Sequence, residues 1–455
     1  MKTATPPKIA FLFLARKRPG FNPEWGKEVE EQVRTFADEV EFEAFHPTVK
    51  PVDDATLRRA LAECREAGTD VLVVLQTTMS DGRMAPVLQQ QWGRPVVLWA
   101  TPEPESAEKV GACSLTGAHT FGSLYAQMGV PFQFVYGTPG EERCRRDFRD
   151  AVLAAHTHAG LSASRLGLIG RHAPGFIDMD ADPFVLHRVF GTQMHHLTLH
   201  EFMDRHDALA EDRVREDVGQ VKALGLPVKN GEVSDDDLAA QSRLYLALRD
   251  LIEEESLDAL ALRCWSELPN LTGQWAYLAL VRLVSEGFPA AMEGDLDGAL
   301  TCLIGEQLGM GRGFLSDWLE HTDDEVTLWH PGNAPFSMCP PVGQPGGPTL
   351  AHHFNVPKPT VVESVIEPGR PLTLFRFWRM GDGYRAMWTE GETLPVDQPL
   401  AGTHARFRDR EGGLHERFDD WLQAGLPHHV AVFEGHHGRR LRRLLQLNGA
   451  VNRAE

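Results

Sequence analysis

Short apolar runs alternate with helical patterns over the first 162 residues of the chain. Strands that are apolar on both faces and separated by helices are typical of a parallel sheet covered on both sides. The pattern therefore predicts a doubly wound, Rossmann-like α/β domain over residues 1–162. The apolar runs are 9–15, 71–75, 95–100 and 132–136, and the helical stretches between them are 24–37, 54–67 and 117–129.

The same alternation continues in a second stretch, for which we predict another doubly wound parallel-sheet domain over residues 163–320. It opens with the apolar run 165–170, passes through helical patterns at 238–256 and 273–287, and reaches a strand that ends at Glu293. Open parallel sheets bind ligands beyond the carboxyl ends of their strands. Polar residues in these strand-end loops are therefore candidate site residues.

The pattern changes near residue 320, where helical periodicity fades and proline and glycine become more frequent. Alternating β-rich runs at 359–367, 372–380 and 384–389 lie close together, with turns between them. Such spacing predicts a β-rich, barrel-like C-terminal domain over residues 321–455. The whole chain is thus predicted to be an α/β protein with two parallel-sheet domains followed by this third domain.

Composition and charge restrict the class of protein and its partners. The net charge of −19 argues against a nucleic-acid partner and against an anionic membrane surface. The six cysteines form no Cys-x-x-Cys pair, which is typical of free thiols in a reducing compartment. No apolar stretch has the roughly 18–20 residues that span a bilayer, and the run 9–15 leads straight into Arg16-Lys-Arg18 without a cleavage site. We therefore expect a cytoplasmic protein.

Three short glycine-flanked segments each place a metal-ligating residue at the edge of an apolar run. Two carboxylates and an imidazole form a mixed oxygen and nitrogen set that suits Mn²⁺ or a similar cation. Paired carboxylates can also exchange protons with a substrate. The three residues are Glu293 in Met-Glu-Gly-Asp, Asp317 in Phe-Leu-Ser-Asp-Trp and His429 in His-His-Val-Ala-Val-Phe.

The acidic turn after residue 292 also has a purely structural interpretation. Asp295 or Asp297 is expected to cap the helix over 298–308, because aspartate is a favoured N-cap residue. Capping does not explain Glu293, since an unpaired carboxylate on an apolar strand is costly.

The other candidates have structural alternatives as well. Asp317 suits a helix start, and either His428 or His429 should face inward as an ordinary core histidine. His330, which ends the run 325–329 before Pro-Gly-Asn-Ala-Pro, is similar. The functional interpretation therefore depends on the combination of these residues.

In combination, the segments resemble the L-fucose isomerase and L-arabinose isomerase group of metal-dependent aldose–ketose isomerases. Glu293 matches the first glutamate ligand of that group, and Asp317 has the spacing of the second carboxylate ligand of the fucose branch. His429 matches the C-terminal histidine ligand, and His330 resembles the additional histidine ligand of the arabinose branch. The chain thus mixes features of the two branches.

The resemblance implies an intramolecular oxidoreductase that interconverts an unphosphorylated aldose and its ketose. Protons would move through a cis-enediol, with Glu293 and Asp317 as the acid and base in an order that the sequence leaves open. The expected cofactor is Mn²⁺ or another divalent metal, with no organic cofactor. A Gly-rich phosphate cradle is lacking, so we expect a free sugar of five or six carbons.

The resemblance also implies a closed homo-oligomer, a trimer or hexamer, whose active sites form between subunits. A neutral sugar is the expected substrate, although arginines after the first strand leave room for an anionic substituent. The residues expected to contact substrate are His119, which would reach a neighbouring subunit's site, Arg16, Arg18, Trp265, Glu267 and Gln76.

Two other functions remain open at this point. A non-catalytic sugar-binding or sensor protein would share the doubly wound domains, but it needs neither the β-rich domain nor the acidic metal set. A metal-dependent hydrolase would use the same ligands to activate water.

Overall fold

The structure is a computed structural model that describes residues 6–16, 21–104, 111–398, 400–449 and 451–454. Arg18 lies outside the described residues. Two compact units are present. An N-terminal unit extends to Gly160 and includes Arg439–Gly449, and a second unit consists of Leu161–Gly438 with the C-terminal residues. The predicted division into three domains stays a prediction.

The N-terminal unit is a five-stranded parallel sheet with helices. Its elements are β1 (Lys8–Leu14), α1 (Pro23–Glu39), β2 (Glu43–Phe45), α2 (Asp54–Glu66), β3 (Val71–Gln76), α3 (Met84–Trp92), β4 (Val96–Ala100), α4 (Ser114–Gln127), β5 (Phe132–Tyr136) and α5 (Glu142–Leu161). The strand order is β2-β1-β3-β4-β5. β3 is buried along its whole length, as expected for a strand covered on both faces.

The second unit begins with a four-stranded parallel sheet. Its elements are β6 (Arg165–Ile169), α6 (Pro183–Phe190), β7 (Gln193–Leu197), α7 (Leu199–Asp207), α8 (Glu211–Ala223), α9 (Asp235–Glu254), β8 (Ala259–Leu262), α10 (Leu268–Thr272), α11 (Tyr277–Ser285), β9 (Ala290–Ala291) and α12 (Leu296–Gln307). In space β6 lies between β7 and β8, and β9 lies at the edge next to β8. Single 3₁₀ turns lie at Ile177–Met179 and Lys229–Gly231.

A nine-stranded sheet follows in the same unit. Its strands and the helix among them are β10 (Phe314–His321), β11 (Glu325–His330), β12 (Thr349–Ala351), β13 (Val361–Val365), β14 (Pro371–Met380), β15 (Gly383–Leu394), β16 (Thr403–Asp409), α13 (Leu414–Gln423), β17 (His429–Glu434) and β18 (Val451–Arg453), with a 3₁₀ turn at Phe336–Met338. The last helix of the chain, α14 (Gly438–Leu447), belongs to the N-terminal unit from Arg439 onward. The strand order is β12-β13-β16-β11-β10-β17-β14-β15-β18. A further pairing of β15 with β16 closes six of the strands into an antiparallel barrel.

The predicted fold class is confirmed: two parallel sheets with helices precede a β-rich, barrel-forming sheet. β10, which contains Asp317, belongs to the barrel sheet. Among the described residues, no helix has the length and apolar character needed to cross a membrane.

Candidate metal centre

Two of the predicted ligands lie opposite each other on neighbouring barrel strands. The antiparallel register of β10 and β17 pairs Asp317 with His429. Their side chains meet with 3.4 Å between Oδ1 of Asp317 and Nε2 of His429. On the other side of β10, strand β11 ends at His330, whose ring centroid is 5.4 Å from that of His429. Strand pairing therefore brings three predicted residues together.

The fourth predicted ligand, Glu293, reaches the same place from the parallel sheet. Oε2 of Glu293 is 3.7 Å from Nε2 of His429. The sequence predicts Glu293 on a strand, but β9 ends at Ala291 and Glu293 lies in the turn that follows. Its φ of +59° is in the left-handed region, which costs a non-glycine residue roughly 1–2 kcal/mol.

Surrounding contacts hold this strained turn. The Glu293 N–H donates to Sγ of Cys264 at 3.3 Å, and the Glu293 carbonyl accepts from the N–H of Ala173 at 2.7 Å. Gly294 also has a positive φ of +73°, and a Cβ there would lie 2.2 Å from the carbonyl oxygen of Arg171. Only glycine therefore fits after Glu293, and the turn directs the glutamate toward His429.

The donor atoms form two overlapping groups, each of which could hold a metal ion. One consists of Glu293, His330 and His429, the other of Asp317, His428 and His429, and the ligand atoms within each group lie within 4.8 Å of one another. Two ligands that each lie about 2.0–2.2 Å from one ion are at most about 4.4 Å apart. Small side-chain adjustments would therefore bring either set into bonding distance.

Buried nitrogens without partners support the fit to a metal. Within the described part of the chain, neither Nε2 of His429 nor Nδ1 of His330 has a hydrogen-bond partner, and both residues are at most 1% exposed. A buried polar atom without a partner is costly. An ion among these residues would remove that cost at His429, whose Nε2 faces both carboxylates.

Burial and neighbouring charges shift the pKa values of this cluster. Burial lowers the pKa of His330 well below its usual value, and His429 and His428 add to the effect, so the imidazole is neutral, which is its metal-binding form. Burial raises the pKa of Asp317 and Glu293 raises it further, against the opposing influence of His429 and His428. Both shifts express the cost of charge in an enclosed site.

His428 also belongs to the cluster, although the sequence predicts no role in the site for it. Its Nδ1 is 3.0 Å from Oδ2 of Asp178, and its Nε2 is 3.9 Å from Oε2 of Glu293. Its ring centroid is 4.7 Å from that of Phe176. Burial disfavours the charged ring, but Asp178 and then Glu293 outweigh this and raise the pKa of His428 to about 10.

Asp295 confirms the predicted helix cap and has a second contact. It is the N-cap residue of α12 and accepts a hydrogen bond from the N–H of Gly298 at 2.9 Å. Its Oδ2 also lies 2.9 Å from Nδ1 of His429. Burial alone raises the pKa of Asp295, but Arg376 and then His429 outweigh burial and hold it well below its usual range.

The two predicted substrate residues of the second unit differ in their surroundings. Trp265 is half-buried, and its ring centroid is 6.3 Å from that of Phe176, the residue that packs against His428. Glu267 is paired with Arg263, whose Nε donates to it at 2.8 Å. The aromatic residue therefore lies next to the cluster, and the carboxylate of Glu267 already has a partner.

The remaining described candidates belong to the N-terminal unit. Gln76 is buried at the end of β3, where its Oε1 accepts from the N–H of Ser80 at 3.0 Å. The half-exposed guanidinium of Arg16 lies 3.6 Å from Asp81. His119 is exposed on α4. Substrate contact by these residues, and by Arg18, stays a prediction.

Comparison with known proteins identifies the class of enzyme. The chain is 28% identical over 386 residues to the sulfoquinovose isomerase of Alkalicoccus urumqiensis, covering 83% of this chain and 84% of the relative. It is 26% identical over 389 residues to the sulfoquinovose isomerase of Priestia aryabhattai, covering 84% and 85%. The L-arabinose isomerase of Nocardioides sp. is 23% identical over 354 residues, covering 73% and 68%.

No protein-family model matches the chain. Even so, the predicted relationship to the L-fucose and L-arabinose isomerase-like family is confirmed by these relatives. The chain is a sugar isomerase, an enzyme that interconverts an aldose and a ketose.

Proposed function

We propose that this enzyme is a divalent metal-dependent isomerase whose substrate is sulfoquinovose or a closely related sugar sulfonate. The observation that supports the reaction is the convergence of Glu293 and Asp317 on the buried, unpartnered Nε2 of His429. The substrate class is supported by similarity to sulfoquinovose isomerases over more than four-fifths of both chains. We thus propose an anionic sugar as the substrate, instead of the neutral sugar expected from the sequence.

The proposed ligands are Glu293, Asp317, His429 and His330. Mixed carboxylate and imidazole donors suit Mn²⁺, which is the cation we propose. A bound divalent ion would polarise the sugar carbonyl and align the two oxygens that exchange a proton.

The two carboxylates are proposed to move the protons of the reaction. One proton leaves C2 of the aldose and returns to C1, and another passes between O1 and O2, so the product is an isomer and no external redox reagent is needed. Glu293 and Asp317 face the same nitrogen of His429, and both can therefore act on one two-carbon unit.

A closed homo-oligomer, a trimer or hexamer in the cytoplasm, completes the proposal. His119 is exposed on α4, as a residue reaching a neighbouring subunit must be. The sheet edge formed by β5 exposes Phe134 and Tyr136 to 39% and 46%, and exposed apolar residues on an edge strand favour association. Light scattering with size-exclusion chromatography tests the oligomeric state, and a fully active monomer would contradict a role for His119 in a neighbour's site.

The decisive experiment is a substrate panel assayed for ketose formation, with metal content measured on the same preparation. We expect bound Mn²⁺ or reconstitution by it, and the highest kcat/KM with sulfoquinovose among sulfoquinovose, glucose, glucose 6-phosphate, L-arabinose and L-fucose. Faster turnover of glucose 6-phosphate would contradict the substrate class. Sugar binding without ketose formation, or cleavage of the substrate, would favour a binding protein or a hydrolase.

The arginines that follow β1 offer a matched test of anion recognition. Arg16→Ala and Arg18→Ala should raise KM for sulfoquinovose by about tenfold or more, because a charge-assisted hydrogen bond is lost. KM for a neutral aldose should not change. Arg58→Ala is the control, since Arg58 is an exposed arginine of the same unit that pairs with Asp54 on its own helix, α2.

A further inference from the structure

A buried ion pair lies next to the proposed ligand His429. Arg376 on β14 donates from Nη1 to Oδ2 of Asp295 and from Nη2 to Oδ1, both at 2.7 Å. The side chains are 1% and 0% exposed. The same Oδ2 lies 2.9 Å from Nδ1 of His429, so Asp295 joins the arginine to the histidine.

Capping α12 does not explain this arrangement. An N-cap aspartate needs to accept only a hydrogen bond from a backbone N–H of the first helical turn, and Asp295 accepts one from the N–H of Gly298. A buried arginine is an additional cost that a cap does not require. The helix also leaves space for the pair, because a Cβ at Gly298 would lie 2.5 Å from Oδ2 of Asp295 and 2.7 Å from Nη1 of Arg376.

The contact with Asp295 determines which nitrogen of His429 is free to bind a metal. A carboxylate accepts hydrogen bonds, so Nδ1 of His429 donates its N–H to Asp295. The lone pair then lies on Nε2, the nitrogen that faces Glu293 and Asp317. Such carboxylate–histidine contacts orient metal ligands in other sites.

We propose that Asp295, held by Arg376, is a positioning residue that fixes the tautomer and ring orientation of His429 for metal binding. This inference rests on the proposed function, because it requires that a divalent ion binds at His429. The proposed role explains why the turn has a second acidic residue, Asp295, two positions after Glu293, and why the apolar strand β14 contains Arg376.

The same unit contains a matched control for the ion pair. Arg282 donates from both terminal nitrogens to Asp217 at 2.7 and 2.8 Å, and the side chains are 6% and 4% exposed. This pair joins α11 to α8 and includes none of the proposed metal ligands. Asp217→Asn should therefore disturb folding much as Asp295→Asn does, without affecting the orientation of His429.

The test is Mn²⁺ affinity, measured by calorimetry on metal-free wild type, Asp295→Asn and Asp217→Asn, with thermal unfolding of each. We expect Asp295→Asn to bind Mn²⁺ about 10- to 100-fold more weakly. Asp217→Asn should keep wild-type affinity. The visible spectrum of bound Co²⁺ should change in Asp295→Asn and stay unchanged in Asp217→Asn, since it reports the ligands around the ion.

A second pair of variants keeps the proposal testable if Asp295→Asn folds poorly. Arg376→Lys retains a cation for Asp295 and should bind Mn²⁺ more tightly than Arg376→Met. Wild-type affinity and an unchanged Co²⁺ spectrum in both Arg376 variants, or an equal loss of affinity in Asp217→Asn, would overturn the role of Asp295. Absence of Mn²⁺ binding by the wild type would instead overturn the metal-dependent function itself.

Discussion

The proposed ligands come from two regions that hold side chains in different ways. Asp317, His330 and His429 lie on paired barrel strands, where the hydrogen-bond register fixes each position. Glu293 lies in a left-handed turn after a strand of only two residues. Strand pairing tolerates a change of side chain because the backbone stays paired, whereas the turn depends on contacts with other segments. Substitutions in the two regions should therefore fail in different ways.

The largest effect is expected for Glu293→Gln. The amide keeps the size of the side chain but cannot accept a proton, so kcat should fall by about 10³- to 10⁴-fold, near the upper range for loss of an acid–base group. Steady-state ketose formation measures it. The matched control is Glu306→Gln, a half-buried glutamate in the last turn of α12, which should keep wild-type kcat. Retention of more than a tenth of the activity in Glu293→Gln would exclude Glu293 as a catalytic group.

Asp317→Asn on the barrel strand β10 should lower the activity of the enzyme but raise the stability of the metal-free protein. Kcat should fall by about 10²- to 10³-fold, while the metal-free protein should become more stable at pH 7–8. Burial raises the pKa of Asp317, so the ionised carboxylate weakens the folded state above its unfolded pKa of about 3.9. Asparagine removes that charge.

The gain in Tm of Asp317→Asn should therefore vanish as the pH falls below that unfolded pKa, where aspartate is protonated in both states. Thermal unfolding in EDTA from pH 3 to pH 8 measures it. A gain that is the same at every pH would show that packing, and not charge, is responsible.

Gly294→Ala should show how the turn differs from the strands. A Cβ would overlap the carbonyl of Arg171 and would strain a residue with φ of +73°. We expect a loss of about 2 kcal/mol or more in the free energy of unfolding. Activity should fall by about 10²-fold, because a displacement of the Glu293 carboxylate by about 1 Å is enough to cause such a loss.

Gly225→Ala is the control for backbone strain alone. Gly225 has a φ of +67°, with no atom within 4 Å of the added Cβ. It should lose only about 1 kcal/mol, with no change in kcat. Equal kinetic effects in the two alanine variants would contradict the assignment of the Glu293 turn as a positioned site element.

The sequence predicts the architecture because each sheet has its own hydrophobic period. Fully apolar runs such as 71–75 are buried on both faces in the parallel sheets, and the short β-rich runs after residue 320 form the barrel. β15 and β16 follow each other in the chain, but the barrel also requires β10 to pair with β17, more than 100 residues later. That pairing was not predictable, since strand pairing over a long separation depends on the register of all the strands between.

The candidate site is predictable only in part. Glycine-flanked motifs locate Glu293, Asp317 and His429, but the register that pairs the last two joins positions more than 100 residues apart. Arg376 had a usable signal, because an arginine inside an apolar strand needs a buried partner. Asp178 had none, since it lies in a single 3₁₀ turn and is recognisable only by its contact with His428.

The smallest effect is expected at the ion pair between Asp178, in the 3₁₀ turn after β6, and His428, the residue before β17. The pair is partly exposed, so Asp178→Asn should cost the metal-free protein only about 1 kcal/mol near pH 7. The pKa of His428 is raised to about 10, so its contribution is complete below the unfolded value of about 6.5 and is lost as the pH rises through 10. The Tm difference between wild type and Asp178→Asn, measured in EDTA, should therefore be largest at pH 6–7 and should shrink toward pH 10.

Asp182→Asn, which removes the N-cap carboxylate of α6 without touching a histidine, is the control, and its Tm difference should not change over that range. A pH-independent difference for Asp178→Asn would mean that Asp178 stabilises the turn itself and does not hold the charged ring of His428.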